Sequence, residues 1–205
     1  MALLYFASSN ENKFLEIQNI LQTEREEFKL EIFFSNLAIK EIQSESIIEV
    51  AEDKAKKAFK SIGKPVIVED DGLFIEDLNG FPGAYSSFVF KTIGNKGILN
   101  LLGNNLNRKA HFMSVFSFSD GKSIMTFCGE TAGHITTEIH TSGWGFDPIF
   151  RPENETTTYG EINILKKNEL SHRSKAFRQF LSWYRPTHNH NNSNNEAINT
   201  TQKGK

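Results

Sequence analysis

Pro65-Val66-Ile67-Val68-Glu69-Asp70-Asp71-Gly72-Leu73-Phe74-Ile75 sets three consecutive carboxylates between two apolar runs. The first run reads as a buried strand that ends at the acidic cluster. Gly72 reads as a close backbone turn, after which the apolar run resumes. Taking charge out of water is costly unless a partner neutralises it. Adjacent carboxylates also repel, and a divalent cation or a shared proton is the usual remedy. A solvated acidic turn is the plainer alternative, but apolar runs on both sides favour a functional site.

On either side of this stretch, strand and helix signals alternate. Upstream, Ser46 to Ile62 has helical period, with Ile47, Val50, Ala51, Ala55, Ala58 and Phe59 as its inward stripe. Gly63-Lys64-Pro65 stops that helix. Nearer the N-terminus, Ala2 to Ala7 reads as a short buried strand. A helix from about Asn12 to Leu21 and a weak strand over Phe28 to Phe34 follow. Such alternation predicts strands of one sheet covered by helices, an α/β fold.

Downstream the chain is richer in strands. His111 to Ser119 and Lys122 to Gly129 are β-prone and joined through Asp120-Gly121, a hairpin signal. Gly129 to Ile135 is expected to bend into a further strand. Ser142-Gly143-Trp144-Gly145-Phe146-Asp147-Pro148 reads as an aromatic loop, and a last helix spans about Ser171 to Tyr184. After Pro186 the Asn-rich composition cannot bury enough apolar surface to order itself. The expected organisation is one domain over residues 1–185 and a disordered tail over 186–205.

Composition narrows the class. At 205 residues, 38% hydrophobic and with 18 phenylalanines, the chain is long enough for a sizeable core. A net charge of −2 leaves no electrostatic footprint for nucleic acid. Cys128 is the single cysteine, so no internal disulfide forms and a reducing compartment fits. The N-terminal apolar run is too short for a signal sequence, and nothing approaches membrane-spanning length. A soluble, cytoplasmic chain is the expectation.

Several other residues carry chemistry when taken together. Ser8-Ser9-Asn10-Glu11-Asn12-Lys13 joins the first strand to the first helix, where a helix N-terminus favours anions and Lys13 reaches the same place. An ordinary helix cap with a surface lysine has the same composition. Glu41 precedes the second helix, where acidic residues are common. Lys54 lies beside Asp53, Lys56 and Lys57, as on a solvated face. Lys167 and Ser171-His172-Arg173-Ser174-Lys175 bring cations to the start of the last helix, where they oppose its dipole and ask for an anionic partner.

Five motifs in order resemble those of the inosine triphosphate pyrophosphatases, which clear deaminated purine nucleotides. They are Ala7 to Lys13, Val68 to Leu73, Leu78 to Ser86, Gly145 to Phe150, and Ser171-His172-Arg173, and the resemblance spans residues 2–184. It implies an elongated mixed α/β fold with a long curved sheet and a cleft between two lobes. The implied reaction is hydrolysis of ITP, dITP or XTP to nucleoside monophosphate and pyrophosphate. By the same resemblance Ser8, Ser9, Asn10, Glu11, Asn12 and Lys13 cradle the triphosphate, and Lys54 faces the phosphates. Glu41 and Asp70 match magnesium-binding carboxylates, with Asp70 also the general base. Trp144, Gly145, Phe146, Asp147, Lys167, His172 and Arg173 match the nucleobase pocket. A homodimer is implied as well.

Three positions depart from the family pattern. Asp71, counted with the substrate-facing residues, stands where a small residue is usual; its charge suits a metal contact, or burdens phosphate affinity if unpaired. Val50 stands where many members carry asparagine. Ser87 stands where some members carry a substrate-contacting lysine. A related pyrophosphatase for modified pyrimidine or methylated nucleotides, and a non-catalytic nucleotide binder, are the alternatives.

Overall fold

A computed structural model describes residues 3–24, 30–141 and 143–184. Strand β1 (Leu3–Ala7) leads into helix α1 (Glu11–Thr23), followed by β2 (Glu31–Ser35), α2 (Ile47–Ile62) and β3 (Val66–Ile75). Next come β4 (Pro82–Gly83), α3 (Ser86–Thr92), α4 (Gly94–Leu102), β5 (Lys109–Ser119) and β6 (Ile124–Ile135). The chain closes with β7 (Phe150–Pro152), α5 (Ile164–Leu170) and helix α6 (172–184). The result is an open, mixed seven-stranded sheet of order β2-β1-β3-β5-β6-β7, with β4 paired to β3, flanked by six helices. No described helix is long and apolar enough to cross a membrane. The expected tail at 186–205 and the start of the second strand at Phe28 lie outside the described residues.

Local chemistry explains the boundaries. Asn10 caps α1 by accepting from the Asn12 amide at 3.1 Å, and Ser46 caps α2 through the Glu49 amide at 3.3 Å. Gly63 ends α2 with φ 68°, the left-handed conformation a helix C-cap requires. The Asp120-Gly121 hairpin joins β5 and β6 in antiparallel register from Lys109↔His134 to Ser119↔Ile124.

Two expectations need correction. The acidic stretch does not end a strand, because β3 runs unbroken through all three carboxylates to Ile75. Its pairing with β5 is continuous from Val66↔Ser119 to Ile75↔Ala110, so backbone hydrogen bonding holds the strand together beneath the charges. Gly72 is therefore a strand residue, and its lack of a side chain serves packing. A Cβ there would collide with the Gly83 carbonyl on β4 and with Ile47 Cδ1. Likewise β6 does not break at Gly129, where a Cβ would strike the His172 carbonyl and the Ala176 amide of α6.

The other edge of β3 makes the cleft. It pairs in parallel with β1 at Tyr5↔Val66 and Phe6↔Ile67, then antiparallel with β4 at Leu73↔Gly83 and Phe74↔Pro82. Between those pairings no described strand covers it, and the carboxylates occupy that gap. The opening lies beyond the carboxyl end of β1, where α/β sheets place ligands. Apolar clusters fix both sides. Ile67 packs with α1 and α6 through Ile17, Ile20, Phe177 and Phe180, whereas Val66 and Val68 pack with Ala55 and Ala58 of α2.

Candidate active site

Side chains of a strand alternate between faces. Glu69 and Asp71 therefore follow Ile67 toward α1 and α6, and Asp70 follows Val68 toward α2. On the α2 side, Lys54 Nζ stands 2.8 Å from Asp70 Oδ1 and 2.8 Å from Glu41 Oε1. Lys54 is buried, not on a solvated face as its lysine-rich neighbourhood suggests. Asp70 Oδ2 is buried without a hydrogen-bond partner. Burial is the largest influence on that carboxyl and raises its pKa to about 6, against the pull of Lys54 and Lys13.

On the opposite side, Lys13 Nζ lies 2.7 Å from Glu69 Oε2 and 2.8 Å from Asp71 Oδ1. Lys13 is likewise buried, so it is no surface lysine. Burial opposes its charge, but Asp71 and Glu69 outweigh burial and lift its pKa above the ordinary lysine value. Arg173 joins the same group: Nε meets Glu69 Oε1 at 3.1 Å, Nη2 meets Asp71 Oδ2 at 2.6 Å, and Nη1 bonds Glu16. Ser114 Oγ donates to Glu69 Oε1 at 2.6 Å. Asp71 is thus doubly paired. Burial works against its charge, yet Lys13 and Arg173 hold its carboxyl well below the usual range.

A second layer supports the first. Lys167 Nζ is held by Glu16 Oε1 at 2.8 Å and Asp147 Oδ2 at 2.6 Å, and the Trp144 indole donates to Glu16 Oε1 at 3.1 Å. Burial disfavours the Glu16 charge, but Arg173 and Lys167 overcome this and bring its pKa down to about 2. Arg173 and Lys167 also stand 5.2 and 5.6 Å from the Trp144 ring centre, in cation–π range. His172 stacks on Phe112 at 4.6 Å with both ring nitrogens lacking a hydrogen-bond partner. Its Nε2 is 3.8 Å from Asp71, too far for a hydrogen bond. Burial lowers its pKa, which favours a neutral ring.

These groups surround one cleft of about 390 Å³, within the size range of small-molecule sites. Of the residues singled out from sequence, Ser8, Ser9, Asn10, Asn12, Lys13, Glu41, Lys54, Asp70, Asp71, Trp144, Gly145, Phe146, Asp147, His172 and Arg173 line it. Glu11 does not, being exposed on the outer side of α1, and Lys167 lies beneath the cleft with its ammonium committed to two carboxylates. Val50 and Ser87 are on the wall.

Sequence reasoning missed Glu16, the role of Glu69, and the wall residues Phe90, Lys91 and Phe112. A signal for Glu16 existed: it falls three residues after Lys13 on the inward stripe that continues through Ile17, Ile20 and Leu21. Two charged residues on the apolar face of a helix call for buried partners.

Residues 4–183 match the sequence model of the Ham1 family. A dITP/XTP pyrophosphatase of Methanopyrus kandleri is 46% identical over 88% of this chain and 95% of its own length. The corresponding enzyme of Saccharolobus solfataricus is 43% identical over 86% and 90%. Among solved structures, a HAM1 protein from Coxiella burnetii superposes with a TM-score of 0.79 at 27% identity, covering 91% of this chain and 100% of that one. The Staphylococcus aureus Ham1 protein gives 0.77 at 26%, covering 90% and 99%.

Proposed function

Because the chain belongs to the Ham1 family, we propose that it hydrolyses deaminated purine nucleoside triphosphates (dITP, ITP and XTP) to the nucleoside monophosphate and pyrophosphate. The relatives that act as dITP/XTP pyrophosphatases support the substrate class. The observation that carries the chemistry is Asp70: a buried carboxyl with a pKa near 6 and one oxygen free of hydrogen bonds, facing a cleft lined by Lys13 and Lys54.

In this reading the triphosphate lies against the Ser8 to Lys13 turn, where the first amides of α1 point at anions. Asp70 Oδ2 accepts a proton from a water aligned with the α-phosphorus. The water oxygen bonds to that phosphorus as the bond to the α–β bridging oxygen breaks, and pyrophosphate departs with the bridging oxygen. Lys13, Lys54 and the α1 N-terminus balance the charge that moves onto the leaving group.

Glu41 and Asp70 fit magnesium. Both are hard oxygen donors that converge on the Lys54 ammonium, Glu41 through Oε1 and Asp70 through Oδ1, a pair of negative groups suited to a cation, which leaves Asp70 Oδ2 to the water. No group of three or more His, Cys, Asp or Glu among the described residues is set to hold a metal alone. Glu41 and Asp70 would hold an ion that keeps several of its own waters. Bound there, magnesium supplies Lewis-acid polarisation of the phosphoryl oxygens.

Base selection rests on hydrogen-bond sense. Hypoxanthine and xanthine offer a 6-keto acceptor where adenine offers an amino donor. Donors at the start of α6, at His172 and Arg173, pair with the keto group and meet an amino donor in ATP that they cannot pair with, which permits discrimination of roughly 10⁴-fold. Phe146, buried and edged by Phe90 at 5.5 Å, provides a stacking face. We further infer a homodimer joined through the exposed apolar side chains Phe88, Ile93 and Leu101 of α3 and α4 and the link between them. A cytoplasmic setting fits the single free Cys128.

The test is pyrophosphate release from dITP, ITP, XTP, GTP and ATP, with and without magnesium, by wild type and Asp70→Asn. Magnesium-dependent turnover of dITP and XTP that disappears in the variant supports the reading. Equal turnover of ATP overturns the base-recognition part, and no turnover of any triphosphate by folded protein overturns the whole.

A further inference from the structure

Lys13 and Arg173 are each gripped from two directions. From behind, Glu69 takes Lys13 at 2.7 Å and Arg173 at 3.1 Å, and Glu16 takes Arg173 as well. Neither Glu16 nor Glu69 lines the cleft. From in front, Asp71 does, and it gives one oxygen to each cation: Oδ1 to Lys13 at 2.8 Å and Oδ2 to Arg173 at 2.6 Å. Its side chain is 18% exposed, against 0% for Glu69, so of the carboxylates that grip Lys13 and Arg173, Asp71 is the one an incoming ligand meets.

Charge counting shows that Asp71 is surplus. Lys13, Lys167 and Arg173 are matched one for one by Glu16, Glu69 and Asp147, all linked into one network by the ion pairs described. The buried group is formally neutral before Asp71 is added. An extra carboxylate on the ligand side of two cations has a specific consequence: it occupies the directions from which those cations would reach an anionic group in the cleft.

We propose that Asp71 is an internal competitor for the substrate, a positioning residue that between turnovers holds the cleft face of Lys13, on the phosphate side, and that of Arg173, on the base side, and thereby weakens retention of phosphorylated ligands. The proposal rests on the reading of the cleft as a triphosphate site. When ligand enters, Lys13 and Arg173 exchange the Asp71 oxygens for ligand oxygens while Glu69 and Glu16 keep them anchored. When ligand leaves, the carboxylate takes both cations back. Asp71 thereby links the α1 end of the cleft to the α6 end, so occupancy at one end alters the partner count at the other.

The experiment titrates inorganic tripolyphosphate, in magnesium buffer at low salt, into wild type, Asp71→Asn, Asp71→Ser and Asp71→Glu by calorimetry, with thermal melts to confirm folding. Loss of one facing charge is expected to tighten binding roughly three- to tenfold in the asparagine and serine variants. The glutamate variant should bind like wild type, since it restores the charge. With dITP, KM should fall in the two neutral variants without a rise in kcat, a split that a purely structural defect does not produce. Should the asparagine variant misfold, the smaller serine variant carries the same test. Unchanged or weaker tripolyphosphate binding in the folded neutral variants overturns the proposal and makes Asp71 a support that preorganises the cations. Absence of dITP turnover by wild type, with the binding order as expected, would sink the functional reading and leave the role of Asp71 standing.

Discussion

Asp70 and Asp71 are neighbours in the chain and answer to different cations across the sheet. Lys54 holds Asp70 at 2.8 Å from the α2 side, and Arg173 holds Asp71 at 2.6 Å from the α6 side. The two-residue period of β3 makes this division, and it resolves the repulsion that three adjacent carboxylates would otherwise suffer. Each face then has its own task. Asp70 keeps an uncommitted oxygen in a setting that raises its pKa, whereas Asp71 is locked in its charged form by two cations.

A base with this pKa leaves a mark on the pH–rate profile. Log kcat/KM for dITP should climb with unit slope through acid pH and level off above about 6, where Asp70 ionises. Lys54 favours the charged carboxylate, so Lys54→Met should move the acid limb to higher pH as well as lower the plateau. A limb that stays in place in this variant contradicts the assignment.

Asp70 should also cost stability at neutral pH. Its folded pKa, about 6, exceeds the ordinary 3.8, so the folded state holds the proton more tightly than the unfolded chain. Stability from this group is present below pH 4 and lost as pH rises through about 6. Asp70→Asn, which cannot ionise, should be more stable than wild type at pH 7.5 by about 1–3 kcal/mol. The difference should vanish below pH 4. Denaturant titrations of both proteins across pH provide the check.

Glu16 is the opposite case. Its carboxyl is depressed from 4.5 to about 2 by Arg173 and Lys167, which overcome its burial. The stability it contributes is present above pH 4.5 and is lost as pH falls toward 2. Glu16→Gln should therefore be less stable at pH 7 by about 3 kcal/mol, with a gap that narrows on acidification. A pH-independent difference in denaturation midpoints would count against this ion-pair origin.

Gly72→Ala tests the packing behind the site. The added methyl has no room against the Gly83 carbonyl and Ile47, so β4 or α2 must shift. A loss of about 1–3 kcal/mol is expected. Because α2 carries Lys54 and β4 precedes the cleft wall on α3, turnover should fall further than stability alone explains. Parallel urea titration and dITP kinetics measure the two effects.

Much of this is legible in the sequence alone. The helical stripes of α1 and α2, the Asp120-Gly121 hairpin and the strand before the acidic stretch follow from period and turn chemistry. The stripe of α2 also passes through position 54, between Val50, Ala51, Ala55 and Ala58, but the lysines and aspartate around it mask that signal, so that Lys54 reads as solvated. What stayed hidden was non-local. Nothing in the acidic stretch tells that β5 pairs along its whole length and keeps it extended. Glu16 and Arg173 are far apart in sequence and meet only because α1 and α6 cover the same face. Short elements such as β4, α3 and α5 carry too few residues for a period to show.

If Asp70 directs a water onto the α-phosphorus, hydrolysis of dITP in oxygen-18-labelled water leaves a defined trace. Label is expected in the nucleoside monophosphate and not in the pyrophosphate, with both products absent in folded Asp70→Asn. Label in the pyrophosphate would mean attack at the β-phosphorus. Formation of nucleoside diphosphate and orthophosphate would mean cleavage at the wrong bond. Either result contradicts the account.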